Sequence, residues 1–414
     1  MVKLSAIGDV VHTLAFLDVL HRNFPQARID WLVEEGAAGI IEGHPAIRRM
    51  IVSRRKSWLR ELTEERRFKK VFWEIRSFLK DLRRNRYNCV IDLQGLFKSG
   101  IMVGLASGQR KVGMTGAREG ASLFLKEPPV GVNYHQHAID RYLQVAVYLG
   151  CKWDRWDNRI PVSESQRHAI DHFLASHGVK AGNLVAINPM AKWKTKLWEP
   201  DFFAALADRI LTEFSCQVIF TGSKEDRPVI ESILSMMKNR ALNFAGETGL
   251  KELADLYGRC RVLITTDTGP MHMAAAMGCR VVALFGPTSP LRTGPYGSRH
   301  KVITSGAECS PCFKKACDQW SCMQNITVDS VFEAVEEILS TGKISRIFEH
   351  NGEQRRVKMA ISKELLDILA CPKCKGDIYL TESEDGLICE HCKLLYEIKE
   401  DIPIMLIDEA KPLG

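Results

Sequence analysis

The stretch TTDTGPMHMAAAMG, residues 265–278, decides how this chain folds. It continues the apolar run CRVLIT, residues 260–265, turns through Asp267, Thr268 and Gly269, and enters a segment of small or unbranched residues at 271–277. Such residues suit a close-packed helix. Strand, tight turn and helix in that order form the repeating unit of an open parallel sheet. The start of such a helix offers unpaired N–H groups and the positive end of a dipole, so the segment reads as a cradle for the diphosphate of a nucleotide-sugar. Any α/β protein contains strand-to-helix turns, and a purely structural Gly269 weighs equally until other motifs are added.

Working outward, LVAINP (184–189), CQVIFTG (216–222), CRVLITTD (260–267) and CRVVALFGPT (279–288) read as four buried strands separated by helical segments. They define one α/β half over residues 161–342. ARIDWLVE (27–34) and NCVIDLQG (88–95) alternate with amphipathic stretches in residues 1–160 and define another. Two such halves hold substrate in the cleft between them, at the carboxyl ends of their strands, where LFGPTSP and IFTGSKED fall. A helix is expected to end near Leu339, followed by a linker at 343–358 and a separate C-terminal domain at 359–414.

The 414 residues are 45% hydrophobic and 26% charged, ordinary for a globular protein with proper cores. No apolar run is long enough to cross a bilayer and no signal-peptide series opens the chain, so a cytoplasmic protein with at most peripheral membrane contact is expected. The formal charge of +7 is unevenly spread. Residues 359–414 carry 6 basic and 12 acidic side chains, which leaves the remainder of the chain strongly basic. Residues 54–86 alone hold 13 basic and 5 acidic residues. Charge by itself does not choose among nucleic acid, anionic lipid and a phosphorylated substrate. Phe68, Val71, Phe72, Ile75 and Leu79 recur there at helical spacing and predict a buried stripe beneath a solvated basic face.

Eight of the thirteen cysteines fall in two clusters. Cys371, Cys374, Cys389 and Cys392 form a C-x2-C, C-x2-C frame with 14 residues between the pairs, just short of the usual zinc-ribbon spacing and read as such a ribbon. Two thiolate pairs supply a closed tetrahedral site, and a domain this small needs such a staple. Cys309, Cys312, Cys317 and Cys322 have a looser spacing that suits zinc, an iron-sulfur centre or unligated thiols, and structural zinc is the reading taken.

LSAIGDVVHTL (4–14), WLVEEG (31–36), IDLQGLFKSG (91–100) and TDTGPMHMAAA (266–276) together resemble the lipopolysaccharide heptosyltransferases of glycosyltransferase family nine, type I in particular, over roughly residues 1–340. The resemblance implies a GT-B fold of two Rossmann-like halves. It implies inverting transfer of heptose from ADP-L-glycero-D-manno-heptose to a Kdo sugar of lipid A, without a catalytic metal, at the inner face of the inner membrane. On that basis Asp9 resembles the family's catalytic base, although as a preferred N-cap residue it also suits a helix starting at Val10. Lys196 resembles the lysine that neutralises the donor diphosphate, with Lys194 as competitor. Asp267, Thr268, Gly269 and His272 are expected at the diphosphate and sugar. Asp226, in preference to Glu225, is expected on the ribose. Both His12 and His272 also suit a buried structural role.

For the acceptor, the resemblance implies Arg54, Arg55, Lys98, Arg118, His137 and Arg141, since guanidinium forks bind carboxylates and phosphates in pairs. One departure stands out: the family opens with an apolar strand of several residues, whereas only Met1, Val2 and Lys3 precede LSAIGD here. That shortening predicts a nearly absent first strand and a poorly anchored Asp9. The tail, with LLDILACPKCKG and IPIMLIDEA, resembles the small zinc-binding family that includes the activator subunit of tRNA and protein methyltransferases, which implies a binding module with a protein partner; a purely structural ribbon that props the transferase weighs equally. Two rivals remain at this stage, a type II or other family-nine transferase and a non-catalytic scaffold for the ribbon.

Overall fold

The computed structural model describes residues 1–179, 182–348, 370–374, 376–381, 386–399, 402–403, 406 and 409–412. They fall into two compact units, Met1–Ile344 and Ser345–Gly414. The N-terminal half of the first unit runs α1 (Ile7–Asn23), β1 (Ile29–Glu34), α2 (Glu35–Ile41), β2 (Ile47–Ser53), α3 (Arg55–Thr63), α4 (Phe68–Arg83), β3 (Tyr87–Asp92), α5 (Phe97–Leu105), β4 (Gly108–Gly113) and α6 (Ala138–Tyr148). The C-terminal half begins with α7 (Glu164–Ser176), β5 (Leu184–Asn188), α8 (Pro200–Glu213), β6 (Gln217–Phe220), α9 (Arg227–Met236), β7 (Leu242–Asn243) and α10 (Leu250–Arg259). It continues through β8 (Val262–Thr266), α11 (Gly269–Ala276), β9 (Arg280–Phe285), α12 (Pro290–Thr293), β10 (Lys301–Thr304), α13 (Ser321–Gln324) and α14 (Val328–Phe348).

The six strands read from the sequence all form. In the C-terminal half they make a parallel sheet in the order β10-β9-β8-β5-β6-β7. β5 and β8 are buried along their whole length, as befits strands covered on both faces. In the N-terminal half β1 pairs with β2 and β3 with β4, all parallel. The stub before α1 joins the two pairs. Val2 bridges Leu32 on one side and Asp92 on the other. Val2 N–H donates to Ile91 O at 2.8 Å, Leu93 N–H to Val2 O at 3.0 Å and Glu34 N–H to Leu4 O at 3.0 Å. Among the described residues no strand element precedes α1, as the short start predicts, yet a parallel ladder needs only backbone groups, and Val2 and Leu4 supply enough of them to sew β1 to β3.

Helix α1 is apolar almost all round and is buried at Val10, Val11, Leu14, Phe16, Leu17 and Val19. It packs against α6 and α11, so one core runs from Val10 and Leu14 to Met271, Met273 and Ala274 and joins the two halves. Each aliphatic side chain buried in that seam stabilises it by about 2 kcal/mol.

Two expectations change. On α4, Val71, Phe78 and Leu82 are buried, whereas Phe68 and Phe72 stay 60% and 61% exposed. The stripe is rotated because Trp58 of α3 lies edge-on to Phe78 at 5.4 Å and draws that side of the helix inward. The helix expected to end near Leu339 continues to Phe348. The linker expected at 343–358 thus begins inside α14, and residues 349–358 lie outside the described ones.

In the C-terminal unit, β11 (Tyr379–Leu380), β12 (Gly386–Cys389), β13 (Leu394–Lys399) and β14 (Ile402–Pro403) form an antiparallel sheet in that order, with β15 (Lys411–Pro412) on β13. Its core consists of Cys371, Ile378, Leu387, Cys389 and Tyr396. Among the described residues no helix is long and apolar enough to cross a membrane.

Candidate active site

The loop before α1 is braced by the IDLQG motif. Gln94 Oε1 accepts from the N–H groups of Leu4 and Ser5, each at 3.1 Å. Asp92 fixes that turn by accepting from the N–H of Gln94 at 2.9 Å and from Ser99 Oγ at 2.9 Å. Lys98 Nζ donates to Ser5 Oγ at 2.9 Å and to Glu34 Oε1 at 2.8 Å. The poorly anchored loop expected from the short start is corrected by these bonds.

Helix α1 starts at Ile7 with Ala6 as its N-cap, so Asp9 is the third helical residue and not the cap of a helix starting at Val10. Its Oδ2 reaches back to the Ala6 N–H at 3.1 Å, the carboxylate half of a capping box. Its Oδ1 accepts from the Tyr142 hydroxyl at 3.2 Å and lies 3.6 Å from Lys3 Nζ. Lys3, only 3% exposed, donates to that hydroxyl at 2.6 Å and to Leu93 O at 2.9 Å. Burial pushes the Asp9 carboxyl up, but the Lys3 ammonium, the Ala6 N–H and Tyr142 outweigh it and hold the group below the usual carboxylate value. The Asp9 side chain is 38% exposed, so this ionised carboxylate is accessible.

The start of α11 meets the start of α1. A Cβ on Gly8 would come 2.2 Å from His272 Cδ2, and one on Gly269 would come 3.2 Å from Ile7 Cβ, so both glycines are needed for close approach. His272 Nδ1 is 2.9 Å from His12 Nε2. The His12 ring lies 4.3 Å from His272 and 4.8 Å from His137, which itself caps α6 and contacts Gly294 O at 3.0 Å. Burial pushes His272 down to about 4 despite Asp267 and Asp9, and lowers His12 and His137 as well, so this stack is neutral near pH 7.

On the C-terminal side the turn Lys194–Lys196 points one lysine inward. Lys196 Nζ lies 2.5 Å from Asp267 Oδ2 and 4.6 Å from the Trp193 ring centroid. Asp267 also accepts from Thr288 Oγ1 at 2.7 Å. Lys194 is exposed. Beside them is a cavity of about 610 Å³ lined by Ile7, Lys192, Lys224, Asp226, Thr268 and Met273 among others. Asp226 therefore faces this cavity, with its Oδ2 also accepting from the Ser223 N–H at 2.7 Å, while Glu225 is exposed.

Of the six residues expected at the acceptor, His137 caps α6 and the other five divide into two kinds. Arg54 is held by Glu74 at 2.7 Å, Glu35 at 3.1 Å and Glu61 at 3.6 Å. Arg55 and Lys98 share Glu34. Arg118 and Arg141, by contrast, make no ion pair among the described residues. The Arg141 guanidinium lies 4.8 Å from the Tyr134 ring, and Arg292 lies 5.8 Å from the same ring. Burial and the nearby charges of Arg141 and Arg118 lower Arg292 from its usual value. Arg292, Lys3, Tyr142, Gln94 and Thr288 were missed in the sequence; only Lys3, a charge inside an apolar strand stub, carried a local signal.

In the C-terminal unit the Sγ atoms of Cys371, Cys374, Cys389 and Cys392 lie within 4.8 Å of one another. The Cys374–Cys389 separation of 3.6 Å matches the edge of a tetrahedron with metal–sulfur bonds of about 2.3 Å, so the set could hold a metal ion. It is the only such group among the described residues. Cys309, Cys312, Cys317 and Cys322, where structural zinc is expected, lie near one another but do not close into such a group among the described residues: Cys322 is buried against Gly286 at the start of α13, while Cys309 and Cys317 are exposed.

Residues 75–321 match the family described as glycosyltransferase family 9 (heptosyltransferase), and residues 362–401 match Trm112p-like protein. The chain is 31% identical over 319 residues to lipopolysaccharide heptosyltransferase 1 of Pseudomonas aeruginosa, covering 77% of this chain and 86% of that one. It is 26% identical over 313 residues to lipopolysaccharide heptosyltransferase 2 of Salmonella typhimurium, covering 72% and 85%. Among solved structures, the E. coli heptosyltransferase WaaC with ADP superposes with a TM-score of 0.65 at 26% identity, over 81% of this chain and 98% of that one.

Proposed function

Since the chain belongs to glycosyltransferase family 9 and ends in a Trm112p-like domain, we propose that it moves L-glycero-D-manno-heptose from ADP-heptose to a Kdo sugar of lipid A, with inversion. Its enzyme class is lipopolysaccharide heptosyltransferase. The observation that carries the finer reading is the contact between the two helix starts, Gly8 against His272, which brings the Asp9 turn and the Asp267–Gly269 turn to one seam.

In the proposed step Asp9 takes the proton of the Kdo hydroxyl as that oxygen attacks the anomeric carbon of heptose. The bond from that carbon to the ADP oxygen breaks, and its electron pair leaves with the β-phosphate. A single displacement inverts the centre. Tyr142 and Lys3 keep Asp9 ionised and oriented. Lys196, aligned by Asp267, and the N–H groups at the start of α11 take up the charge growing on the diphosphate. Asp226 fits the ribose hydroxyls, since it faces the cavity. Arg118 and Arg141 fit the carboxylate of Kdo and the lipid A phosphates, with His137 holding the start of α6 between them and the seam. WLVEEG and IDLQGLFKSG favour the type I acceptor over type II.

The reading of the chain as four parts, 1–160, 161–342, 343–358 and 359–414, assigns acceptor binding to the first and the nucleotide-sugar to the second. The four ribbon cysteines suit zinc, which would tie their two knuckles together and take no part in transfer. A protein partner for the ribbon and peripheral attachment at the inner face of the inner membrane complete the proposal. The pairing of Val2 between β1 and β3 speaks against the scaffold reading, whose premise was a sheet damaged at its start.

The test is ADP release from ADP-heptose with and without Kdo-lipid A, with the product linkage read by NMR. Acceptor-dependent release and an inverted anomeric centre are expected. Folded protein that releases no ADP, or releases it at the same rate without acceptor, would overturn the proposal.

A further inference from the structure

Helix α4 presents an outer face that its apolar spacing conceals. Val71, Ile75, Phe78 and Leu82 turn inward. At 3.6 residues per turn, Phe68, Lys69, Phe72, Trp73, Arg76 and Lys80 share the other side, spread over less than half of the circumference. Both acids of the helix lie off that side: Glu74 accepts from Arg54 and from Trp58, and Asp81 faces Arg49. Phe68, Phe72 and Trp73 are 60%, 61% and 64% exposed, and Leu59 on the adjoining α3 is 58% exposed. The Arg76 guanidinium sits over the Trp73 ring at 5.8 Å. Lys69, Arg76 and Lys80 have no carboxylate partner among the described residues.

We propose that this face of α3 and α4 docks the enzyme on an anionic lipid bilayer. Large rings and unpaired cations alternating on one convex helix face are the chemistry of a helix lying in a membrane interface, with rings at the acyl boundary and cations at the phosphates. Single-stranded nucleic acid is held instead in grooves with stacking platforms, which a convex helix does not form. The face is continuous with the candidate site, because Arg55 at the start of α3 shares Glu34 with Lys98, and Lys98 bonds Ser5 in the loop before Asp9. The proposal rests on the reading that the acceptor is lipid-anchored, and it assigns the residues that bring the enzyme to it.

The experiment is flotation of the full chain with acceptor-free vesicles of phosphatidylcholine alone or mixed with phosphatidylglycerol, beside transfer to a water-soluble Kdo glycoside. Binding to the anionic vesicles should exceed binding to the neutral ones at least tenfold and weaken with salt. One variant combines Phe72→Ser with Trp73→Ser, and another combines Lys69→Glu, Arg76→Glu and Lys80→Glu. Each should bind anionic vesicles at least tenfold less while keeping its melting temperature and its rate on the soluble acceptor. Equal binding by wild type and both variants, no preference for anionic lipid, or tighter binding to single-stranded RNA than to vesicles would overturn the proposal. Vesicle binding without transfer to the soluble Kdo glycoside would strike the heptosyl reading and leave this one standing.

Discussion

On the proposed donor side Lys196 is locked to Asp267 and Asp267 to Thr288, whereas on the proposed acceptor side Arg141 and Arg292 lie beside the Tyr134 ring, Arg118 adds its charge near Arg292, and none of the three has a carboxylate partner among the described residues. The first arrangement suits a single, fixed diphosphate whose charge changes during the reaction. The second leaves positive charge for the acceptor's own anions to neutralise. The same contrast divides the acceptor residues named from the sequence, because Arg54, Arg55 and Lys98 are consumed by Glu34, Glu35, Glu61 and Glu74 and brace the fold.

The comparison breaks first at Lys196. Lys196→Ala removes the fixed cation from the leaving group and frees Asp267 beside the phosphates, so steady-state kinetics should give a kcat lower by about a hundredfold or more, with weaker ADP binding in calorimetry. A change confined to stability would mean the pair is structural. Next come the arginines. Arg118→Gln or Arg141→Gln should raise the acceptor KM by roughly tenfold, the scale of one charge-assisted contact, and leave the ADP-heptose KM alone. Arg54→Gln should instead lower the melting temperature and barely move the acceptor KM; a larger effect on KM than that of Arg141→Gln would erase the division.

A subtler change concerns Lys3. Its ammonium favours the ionised form of Asp9, so Lys3→Met raises the Asp9 carboxyl, and the acid limb of the kcat/KM profile should move to higher pH. An unmoved limb would mean that Asp9 does not set it. The smallest effect on transfer is expected in the ribbon: Cys371→Ser should abolish zinc retention in a metal assay on the full chain while transfer to a soluble acceptor stays within about twofold.

The central strands β5, β6, β8 and β9 were legible because strands buried on both faces read as unbroken apolar runs. The edge strands were not: β2 carries Arg48 and Arg49 and β4 carries Arg110 and Lys111, and charge at a sheet edge hides the pattern. On α4 two apolar sets overlap at helical spacing, and Trp58 of another helix decides which one turns inward. The Asp267–Gly269 turn announced itself locally. Tyr142 and Arg292 did not, since each acquires its role from contacts with residues distant in the chain. The cysteines at 309–322 have a ligand-like spacing, and Cys309, Cys312 and Cys317 stay near enough to add to the burial that raises the Cys322 thiol, but Cys322 is buried beside Gly286 while Cys309 and Cys317 are exposed.

The most direct test of the central claim is Asp9→Asn, with ADP affinity and the rate of heptosyl transfer measured on the same preparation. The amide keeps the size of the side chain and loses the base, so transfer should fall by about a hundredfold or more while ADP affinity stays within about twofold. Unimpaired transfer, or a loss of ADP affinity equal to the loss of rate, would contradict Asp9 as the base that activates the acceptor.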